Sequence, residues 1–156
     1  MSERVLITGI TGFVGSHLVD YLLTLDDVEV YGMRRWRSRT EHIDLLSDRV
    51  NIIEGDLRDQ RSVSKVLLEI RPQKIFHLAA QSFVPTSWSA PEESLHTNII
   101  GTLHLLEGIR QAEIDPLIQI AGSSEEYGLV LPDEVPIRET NPLRPLSPYA
   151  VSKVGT

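Results

Sequence analysis

A chain of 156 residues, 41% of them hydrophobic, is long enough to bury one core, and its formal net charge is −7. This acidic balance disfavours a broad nucleic-acid or anionic-membrane surface, because phosphate-rich partners recruit basic faces. The absence of cysteine excludes disulfides and thiolate zinc sites, and no apolar run is long enough to span a bilayer. We expect one soluble, cytoplasmic α/β domain over residues 1–156.

Short apolar runs alternate with longer amphipathic segments, which is typical of a parallel sheet built from βαβ units. Five Val-, Ile- or Leu-rich strands, covered on both faces, are predicted at residues 4–8, 29–33, 50–54, 74–78 and 117–121. Helices are predicted at residues 12–25, 61–70 and 91–112, with a short helical turn at 40–46. The five prolines between Pro132 and Pro148 predict an extended loop, after which a helix begins near Ser147.

Three glycines join the first strand to the first helix in the pattern Gly9-x-x-Gly12-x-x-Gly15. Glycine there permits a tight turn, close approach of the backbone to a pyrophosphate, and close packing of helix on strand. The phosphate would meet free N–H groups at the helix N-terminus. A structural turn without a ligand is the alternative, but the position at the first strand–helix junction favours a dinucleotide site in a doubly wound Rossmann-type sheet.

The second predicted strand ends in the basic stretch YGMRRWRSR, without the carboxylate that usually binds the ribose 2′-hydroxyl of NAD. Instead, Arg34, Arg35, Arg37 and Arg39 crowd the place where a 2′-phosphate would lie. Guanidinium groups suit a phosphate because they can bind it through two hydrogen bonds. The stretch therefore favours NADP over NAD, and a solvated basic loop is the alternative interpretation.

Tyr149 and Lys153 are four residues apart at the start of the last predicted helix, so they share one helix face. A neighbouring ammonium favours the phenolate and brings a tyrosine pKa, ordinarily about 10, closer to neutrality. The pair is therefore suited to proton transfer. A helix-start tyrosine beside a surface lysine is the alternative.

The glycine spacing, together with Phe13 and the run Gly15-Ser16-His17-Leu18, resembles the extended short-chain dehydrogenase/reductase family. The segments HLAAQSFVPTSW, TNIIGTLHLLEGIR and SEEYGLV narrow the resemblance to the branch of GDP-mannose 4,6-dehydratases and GDP-4-keto-6-deoxymannose reductases. The resemblance covers the whole chain. It implies a nucleotide-sugar substrate, a GDP-hexose, and a homo-oligomeric enzyme.

The resemblance also implies a cofactor site built from the glycine turn and the strand ends. In that site, Asp56 would meet the adenine amino group, and small residues after the fourth strand would let a cofactor ribose approach the backbone. Lys153 would hold the nicotinamide ribose. The implied cofactor-binding residues are Gly9, Thr11, Gly12, Phe13, Val14, Gly15, Arg34, Arg35, Asp56, Leu57, Leu78, Ala79, Ala80, Tyr149 and Lys153.

For the chemistry, the resemblance implies that Ser123 binds the sugar hydroxyl or carbonyl and that Tyr149 takes the proton from the carbon 4 hydroxyl. Glu125 would take the proton from hexose carbon 5 and assist the loss of water from carbon 6. Epimerases of the family commonly have a small residue at the position of Glu125, so this residue favours a dehydratase. A 4-ketoreductase, an epimerase and a polar loop residue without a catalytic role are the alternatives. The implied catalytic residues are Ser123, Glu125, Tyr149 and Lys153, and the implied substrate-binding residues are Ser82, Ser123, Ser124 and Glu125.

Extended members of this family are longer and hold the sugar-nucleotide site in their C-terminal half. We therefore expect this chain to represent the cofactor-binding part, to bind cofactor weakly or not at all by itself, and not to turn over a sugar nucleotide. A non-catalytic dinucleotide-binding module is the alternative from another class. The resemblance places Asn98 in the active-site helix. His77, His96 and His104 do not form a metal-ligand pattern, so we expect them in the core or on helix surfaces.

Overall fold

The computed structural model describes residues 2–44 and 47–156. Its strands form a parallel sheet in the order β3-β2-β1-β4-β5. This result confirms the five predicted strands, and their predicted ends agree with the observed ends to within one residue. The strands are β1 Glu3–Thr8, β2 Val28–Arg34, β3 Asn51–Glu54, β4 Lys74–His77 and β5 Leu117–Ile120.

The helices confirm most of the predicted segments but divide the longest one. The α-helices are α1 Phe13–Leu22, α2 Gln60–Ile70, α3 Val84–Ser89, α4 Pro91–Leu95, α5 Gly101–Gln111 and α6 Pro148–Gly155. A π-helical turn occupies His96–Ile100, and short 3₁₀ turns occupy Ser47–Arg49, Ser124–Glu126 and Pro132–Glu134. The predicted helix over residues 91–112 is therefore confirmed as helical backbone from Pro91 to Gln111, with a π turn within it that was not predicted.

Helix α3 was not predicted, and proline explains why it is separate from α4. Pro91 begins α4, and a proline ring disfavours helical backbone at the residue before it. Ala90 accordingly has φ −136° and ψ 63° and belongs to neither helix. The proline at the start of α3 is tolerated because a first-turn N–H has no partner within the helix.

Two predicted irregular segments can be compared with the structure. In the predicted turn over residues 40–46, Ile43 N donates to Thr40 O at 2.8 Å, whereas Leu45 and Leu46 lie outside the described residues. The proline-rich loop contains the Pro132–Glu134 turn and no α-helix or strand before α6, as predicted. Ser147 then caps α6, because its Oγ accepts from Ala150 N at 3.0 Å.

The chain divides into two compact units. The sheet unit comprises Met1–Ala79 and Leu103–Ala121, and the helical unit comprises Ala80–Thr102 and Gly122–Thr156. The sheet unit holds the five strands, and the helical unit holds α3, α4, the π turn and α6.

Apolar side chains cover both faces of the sheet. Leu6 of β1 points into one cluster, formed largely with α2 and α5, while Val5 and Ile7 point into the other, formed with α1. Successive strand residues face opposite sides, so the central strand β1 is buried on both. The prediction that every strand is covered on both faces is wrong for the edge strand β5. Alternate residues of β5 are exposed, and Leu117 is 70% exposed.

Candidate functional site

The candidate cofactor edge lies at the carboxyl ends of the strands of the sheet unit. The strand order reverses between β1 and β4, since β2 and β3 continue from one side of β1 and β5 continues from β4. Ligands of open α/β sheets bind outside the carboxyl ends at such a switch point. The turn after β1 carries Gly9 and Gly12, and Leu78 and Ala79 directly follow β4.

Gly9 and Gly15 are required by the packing of the protein itself. Gly9 has φ +77°, and a Cβ on it would lie 2.8 Å from Ala79 N and 2.9 Å from Ala79 Cα. A Cβ on Gly15 would lie 2.8 Å from Ile10 Cα and would also overlap Gly9 O. Real Cβ atoms do not approach other atoms so closely, so neither position tolerates a side chain.

Gly12 differs from the other two glycines. Outside its chain neighbours and its own helix, a Cβ on Gly12 would meet only Gly9 O among the described atoms within 4 Å, at 3.3 Å. This contact is tight but needs a shift of only a few tenths of an ångström, so internal packing restricts residue 12 far less than residues 9 and 15. An open face at this glycine leaves room for a ligand against the backbone.

The N-terminus of α1 adds the electrostatic part of this edge. Gly12 is the N-cap of α1, and the first turn carries no acidic residue. The first N–H groups of a helix lack partners within the helix and form its positive end, which favours an anion. Phe13 is 69% exposed and Val14 is 62% exposed, so solvent reaches this turn.

A buried polar network joins the ends of β1 and β4. A hydrogen bond of 2.8 Å connects Thr8 Oγ1 with His77 Nδ1, and Ala79 N donates to Thr8 Oγ1 at 3.2 Å. Thr8 and His77 are both buried. Buried polar groups are costly without partners, so this network fixes the backbone of Ala79 beside the glycine turn.

Two of the predicted non-ligand histidines, His77 and His104, make hydrogen bonds within the sheet unit. The burial of His77 confirms its prediction as a core residue. His104 Nδ1 lies 2.7 Å from Leu57 O, and His96 lies on the π turn. Within residues 2–44 and 47–156, no group of three or more His, Cys, Asp or Glu side chains is placed to hold a metal ion. In the same described ranges, no helix has the length and apolar character of a membrane span.

The ends of β2 and β3 carry the predicted charged cofactor residues. Arg34 is half-buried at the end of β2, and Arg35 is exposed. The Asp56 carboxylate bonds Arg58, with Nη2 at 2.8 Å from Oδ2 and Nε at 3.2 Å from Oδ1. The hydrogen bond from Arg58 lowers the pKa of Asp56, and the charge of Arg35 acts in the same direction. Asp56 is therefore an ionised carboxylate with one partner already in place.

Leu57 is a predicted cofactor residue whose side chain lies in the core. It packs with the α2 and α5 residues of the first cluster, and its carbonyl faces His104. Because its side chain is part of the core, the predicted cofactor contact of Leu57 is restricted to its backbone. Leu78 and Ala79 also pack partly against the two apolar clusters.

In the helical unit, α6 presents Tyr149 and Lys153 one turn apart, as predicted. Tyr149 is 9% exposed and Lys153 is 8% exposed, which the interpretation as a surface lysine did not anticipate. Burial lowers the pKa of the Lys153 ammonium, and the negative charge of Glu126 opposes this effect.

Helix α6 contacts the 3₁₀ turn Ser124–Glu126, which brings two predicted catalytic segments together. Ser123 caps this turn: its Oγ accepts from Glu125 N at 3.2 Å, and its own N–H donates to Glu126 Oε1 at 2.8 Å. Glu125 is exposed and Glu126 is half-buried. The sequence interpretation missed Glu126, although Ser-x-x-Glu is the pattern of a capping box.

Asn98 connects three segments of the helical unit. Its Oδ1 accepts from Gln81 N at 2.8 Å, and its Nδ2 donates to Gln81 O at 3.0 Å and to Ser152 Oγ at 2.7 Å. Asn98 lies on the π turn, Gln81 precedes the exposed Ser82, and Ser152 lies between Tyr149 and Lys153 on α6. One buried amide therefore holds the backbone beside Ser82 and the helix that carries the Tyr–Lys pair.

The loop before α6 is held by an ion pair. Glu134 accepts from Arg144 through two bonds of 2.7 Å, and Leu131 N donates to the same carboxylate at 2.9 Å. The Arg144 guanidinium is the largest cause that lowers the pKa of Glu134 to about 2. The pair therefore stays charged well into the acidic range and fixes the loop that leads to Ser147.

The predicted residues are divided between the two units. The sheet unit holds Gly9, Thr11, Gly12, Phe13, Val14, Gly15, Arg34, Arg35, Asp56, Leu57, Leu78 and Ala79. The helical unit holds Ala80, Ser82, Ser123, Ser124, Glu125, Tyr149 and Lys153. The first set lines strand ends of the sheet, and the second includes the two segments that α6 brings into contact.

The strand order and the Gly9–Gly15 turn define a Rossmann-type fold, and the Tyr–Lys helix places it among the short-chain dehydrogenases/reductases. The family model described as GDP-mannose 4,6 dehydratase matches residues 6–156. The chain therefore belongs to the GDP-mannose 4,6-dehydratase family.

Individual relatives agree with this assignment. A GDP-mannose 4,6-dehydratase of Vibrio cholerae is 39% identical over 165 residues, which cover 99% of this chain and 44% of that protein. The UDP-glucose 4-epimerase of Thermus thermophilus, solved with NAD, has a TM-score of 0.83 at 37% identity. That match covers 96% of this chain and 47% of the epimerase. RMD from Pseudomonas aeruginosa, solved with NADPH, has a TM-score of 0.76 at 29% identity over 99% of this chain and 46% of its own. The chain thus spans less than half the length of these relatives.

We predict that Asn98→Ala lowers the free energy of unfolding by at least about 2 kcal/mol, because both backbone groups of Gln81 lose their partner. Urea denaturation measures this loss, and amide exchange in α6 should accelerate. Asn51→Ala is the control: Asn51 is exposed and makes one long bond, of 3.4 Å, to Val30 O. That variant should lose under about 0.5 kcal/mol. Equal losses in the two variants would show that Asn98 is not a structural connection.

Proposed function

We propose that residues 1–156 form the NADP-binding part of a GDP-mannose 4,6-dehydratase, which converts GDP-mannose into GDP-4-keto-6-deoxymannose and water. The observation that carries the proposal is Gly12, which internal packing restricts less than Gly9 or Gly15 and whose missing side chain leaves space at the N-terminus of α1. Membership of the dehydratase family supports the same function.

In this proposal, the first-turn N–H groups of α1 bind the cofactor pyrophosphate, and Gly12 lets it approach. Arg34 and Arg35 bind the 2′-phosphate, which selects NADP over NAD. Asp56, whose ionised carboxylate is held in place by Arg58, accepts a hydrogen bond from the adenine amino group. The backbone beside Ala79 contributes to the same site.

The helical unit supplies the proton chemistry. NADP, held by the turn after β1 and by Arg34 and Arg35, would supply the hydride chemistry between sugar carbon 4 and carbon 6. Tyr149 removes the proton of the carbon 4 hydroxyl, and the buried ammonium of Lys153 stabilises the phenolate. Ser123 donates a hydrogen bond to the carbon 4 oxygen, where negative charge develops.

Glu125 completes the dehydration. The new carbonyl at carbon 4 acidifies the hydrogen at carbon 5, and Glu125 removes that proton. Glu125 then gives a proton to the carbon 6 hydroxyl, which leaves as water. When hydride reaches carbon 6, carbon 5 takes up one proton, which balances the proton that Tyr149 removed from the carbon 4 hydroxyl. Its exposed carboxylate at the start of the turn is accessible to a sugar, while the neighbouring Glu126 is engaged with Ser123 N.

A UDP-sugar 4-epimerase is the second candidate function, favoured by the 37% identity to the Thermus thermophilus enzyme. An epimerase needs the Tyr149–Lys153 pair and a hydroxyl such as that of Ser123. It does not need a base at carbon 5. Glu125 therefore separates the two functions.

We predict that Gly12→Ala weakens NADP binding by roughly tenfold or more, because the new methyl group occupies the open face. Isothermal titration measures the affinity, and NAD should bind more weakly than NADP. Stability should change by under about 1 kcal/mol. Gly15→Ala is the matched control, because its Cβ overlaps backbone and should lower the unfolding free energy by roughly 1–3 kcal/mol. Unchanged NADP affinity in a folded Gly12→Ala variant would refute this site.

We predict that Glu125→Gln, in the polypeptide that carries this sequence, slows dehydration of GDP-mannose at least ~100-fold. Oxidation at carbon 4 should persist, so reduced cofactor should accumulate in a single turnover. The exposed Glu139 provides the control, since Glu139→Gln should leave the rate unchanged. Full dehydration by Glu125→Gln would contradict the assignment, and epimerisation without dehydration in the parent protein would favour the second candidate.

A further inference from the structure

Two adjacent glutamates follow Ser123, and their side chains have different environments. Glu125 is exposed, whereas Glu126 is half-buried. Glu126 Oε1 accepts from Ser123 N at 2.8 Å, and a Cβ on Gly122 would lie 3.3 Å from the same oxygen. The carboxylate of Glu126 therefore covers the backbone of Gly122 and Ser123, directly after β5.

The same carboxylate acts on Lys153. An ammonium as buried as that of Lys153 is costly without an opposite charge nearby. The elements packed against α6 are α3, α4, the π turn and the Ser124–Glu126 turn. Helix α3 carries no titratable group. The titratable groups on the other three elements are Glu92 and Glu93 on α4, His96 on the π turn, and Glu125 and Glu126 on the 3₁₀ turn. Among these described groups, Glu126 is the one whose charge raises the pKa of Lys153.

We propose that Glu126 is a positioning residue for the catalytic set, because its carboxylate fixes the backbone of Ser123 in the turn that packs against α6, the helix that carries Lys153. The proposal rests on the proposed roles of Ser123 and Lys153. The negative charge of Glu126 opposes the loss of the Lys153 charge that burial favours. The backbone bond holds residue 123 at the start of the turn, where Glu125 N donates to the Ser123 hydroxyl at 3.2 Å.

The sequence offers a direct test, because it contains only three lysines: Lys65, Lys74 and Lys153. Carbon-13 labelling of lysine lets NMR follow the titration of each ammonium in the full chain, with Lys65 and Lys74 as internal references. Glu126→Gln keeps an oxygen for Ser123 N but removes the charge. We expect the Lys153 midpoint to move to lower pH in this variant, because the opposing charge of Glu126 is lost while the burial remains. Glu125→Gln is the matched control and should leave the midpoint in place.

The hydrogen bond is tested by amide exchange at Ser123. Glu126→Leu removes both charge and acceptor, so exchange of this amide should accelerate, whereas Glu126→Gln should retain the protection. An unchanged Lys153 midpoint in Glu126→Gln would overturn the electrostatic role. Equal Ser123 exchange in the parent and Glu126→Leu would overturn the backbone role, and if the leucine variant does not fold, the titration of the glutamine variant decides. Neither readout needs activity, so a failure of the proposed dehydration is distinguishable from a failure of this inference.

Discussion

The contact between the backbones of Gly9 and Ala79 is the constraint on which the candidate cofactor edge depends. Gly9 adopts φ +77°, and its missing Cβ leaves room for Ala79 at the end of β4. The Thr8 hydroxyl also fixes the backbone of Ala79, because it accepts a hydrogen bond from Ala79 N and is itself bonded to His77 Nδ1. The turn after β1 can therefore lie directly against the end of β4. As a consequence, α1 begins at the switch point of the sheet.

The three glycines around this contact have different structural roles, which their spacing alone does not reveal. Gly9 and Gly15 are required by the fold, because side chains there would overlap backbone atoms. A side chain at Gly12 would meet only one tight contact, with Gly9 O, and Gly12 caps the positive end of a helix. A glycine that internal packing does not require is a better indication of a ligand than a glycine that the fold needs. In the helical unit, the carboxylate of Glu126 likewise has two effects: it accepts a hydrogen bond from Ser123 N and raises the pKa of Lys153.

Features encoded by local pattern were predictable from the sequence. Alternating apolar runs located all five strands within one residue, and the proline-rich loop and the helix start at Ser147 followed from backbone chemistry. The failures concern interactions between distant segments. Nothing local shows that Asn98 bonds Gln81 and Ser152, and the break at the π turn interrupts a sequence with helical periodicity. Glu126 is an intermediate case. The Ser-x-x-Glu pattern in the sequence indicates its hydrogen bond to Ser123 N, but its effect on the pKa of Lys153 depends on the packing of α6.

The central claim is that the open edge between α1 and the end of β4 binds a nicotinamide dinucleotide. Titrating NADP into nitrogen-15-labelled chain and following backbone amides by NMR tests this claim directly, and the method also detects weak binding. The amides of Gly12, Phe13, Val14 and Ala79 should shift together and saturate along one binding curve, while that of Leu117 on the edge strand β5 should not move. Saturable shifts confined to other parts of the chain, or no shift at millimolar NADP, would contradict the account.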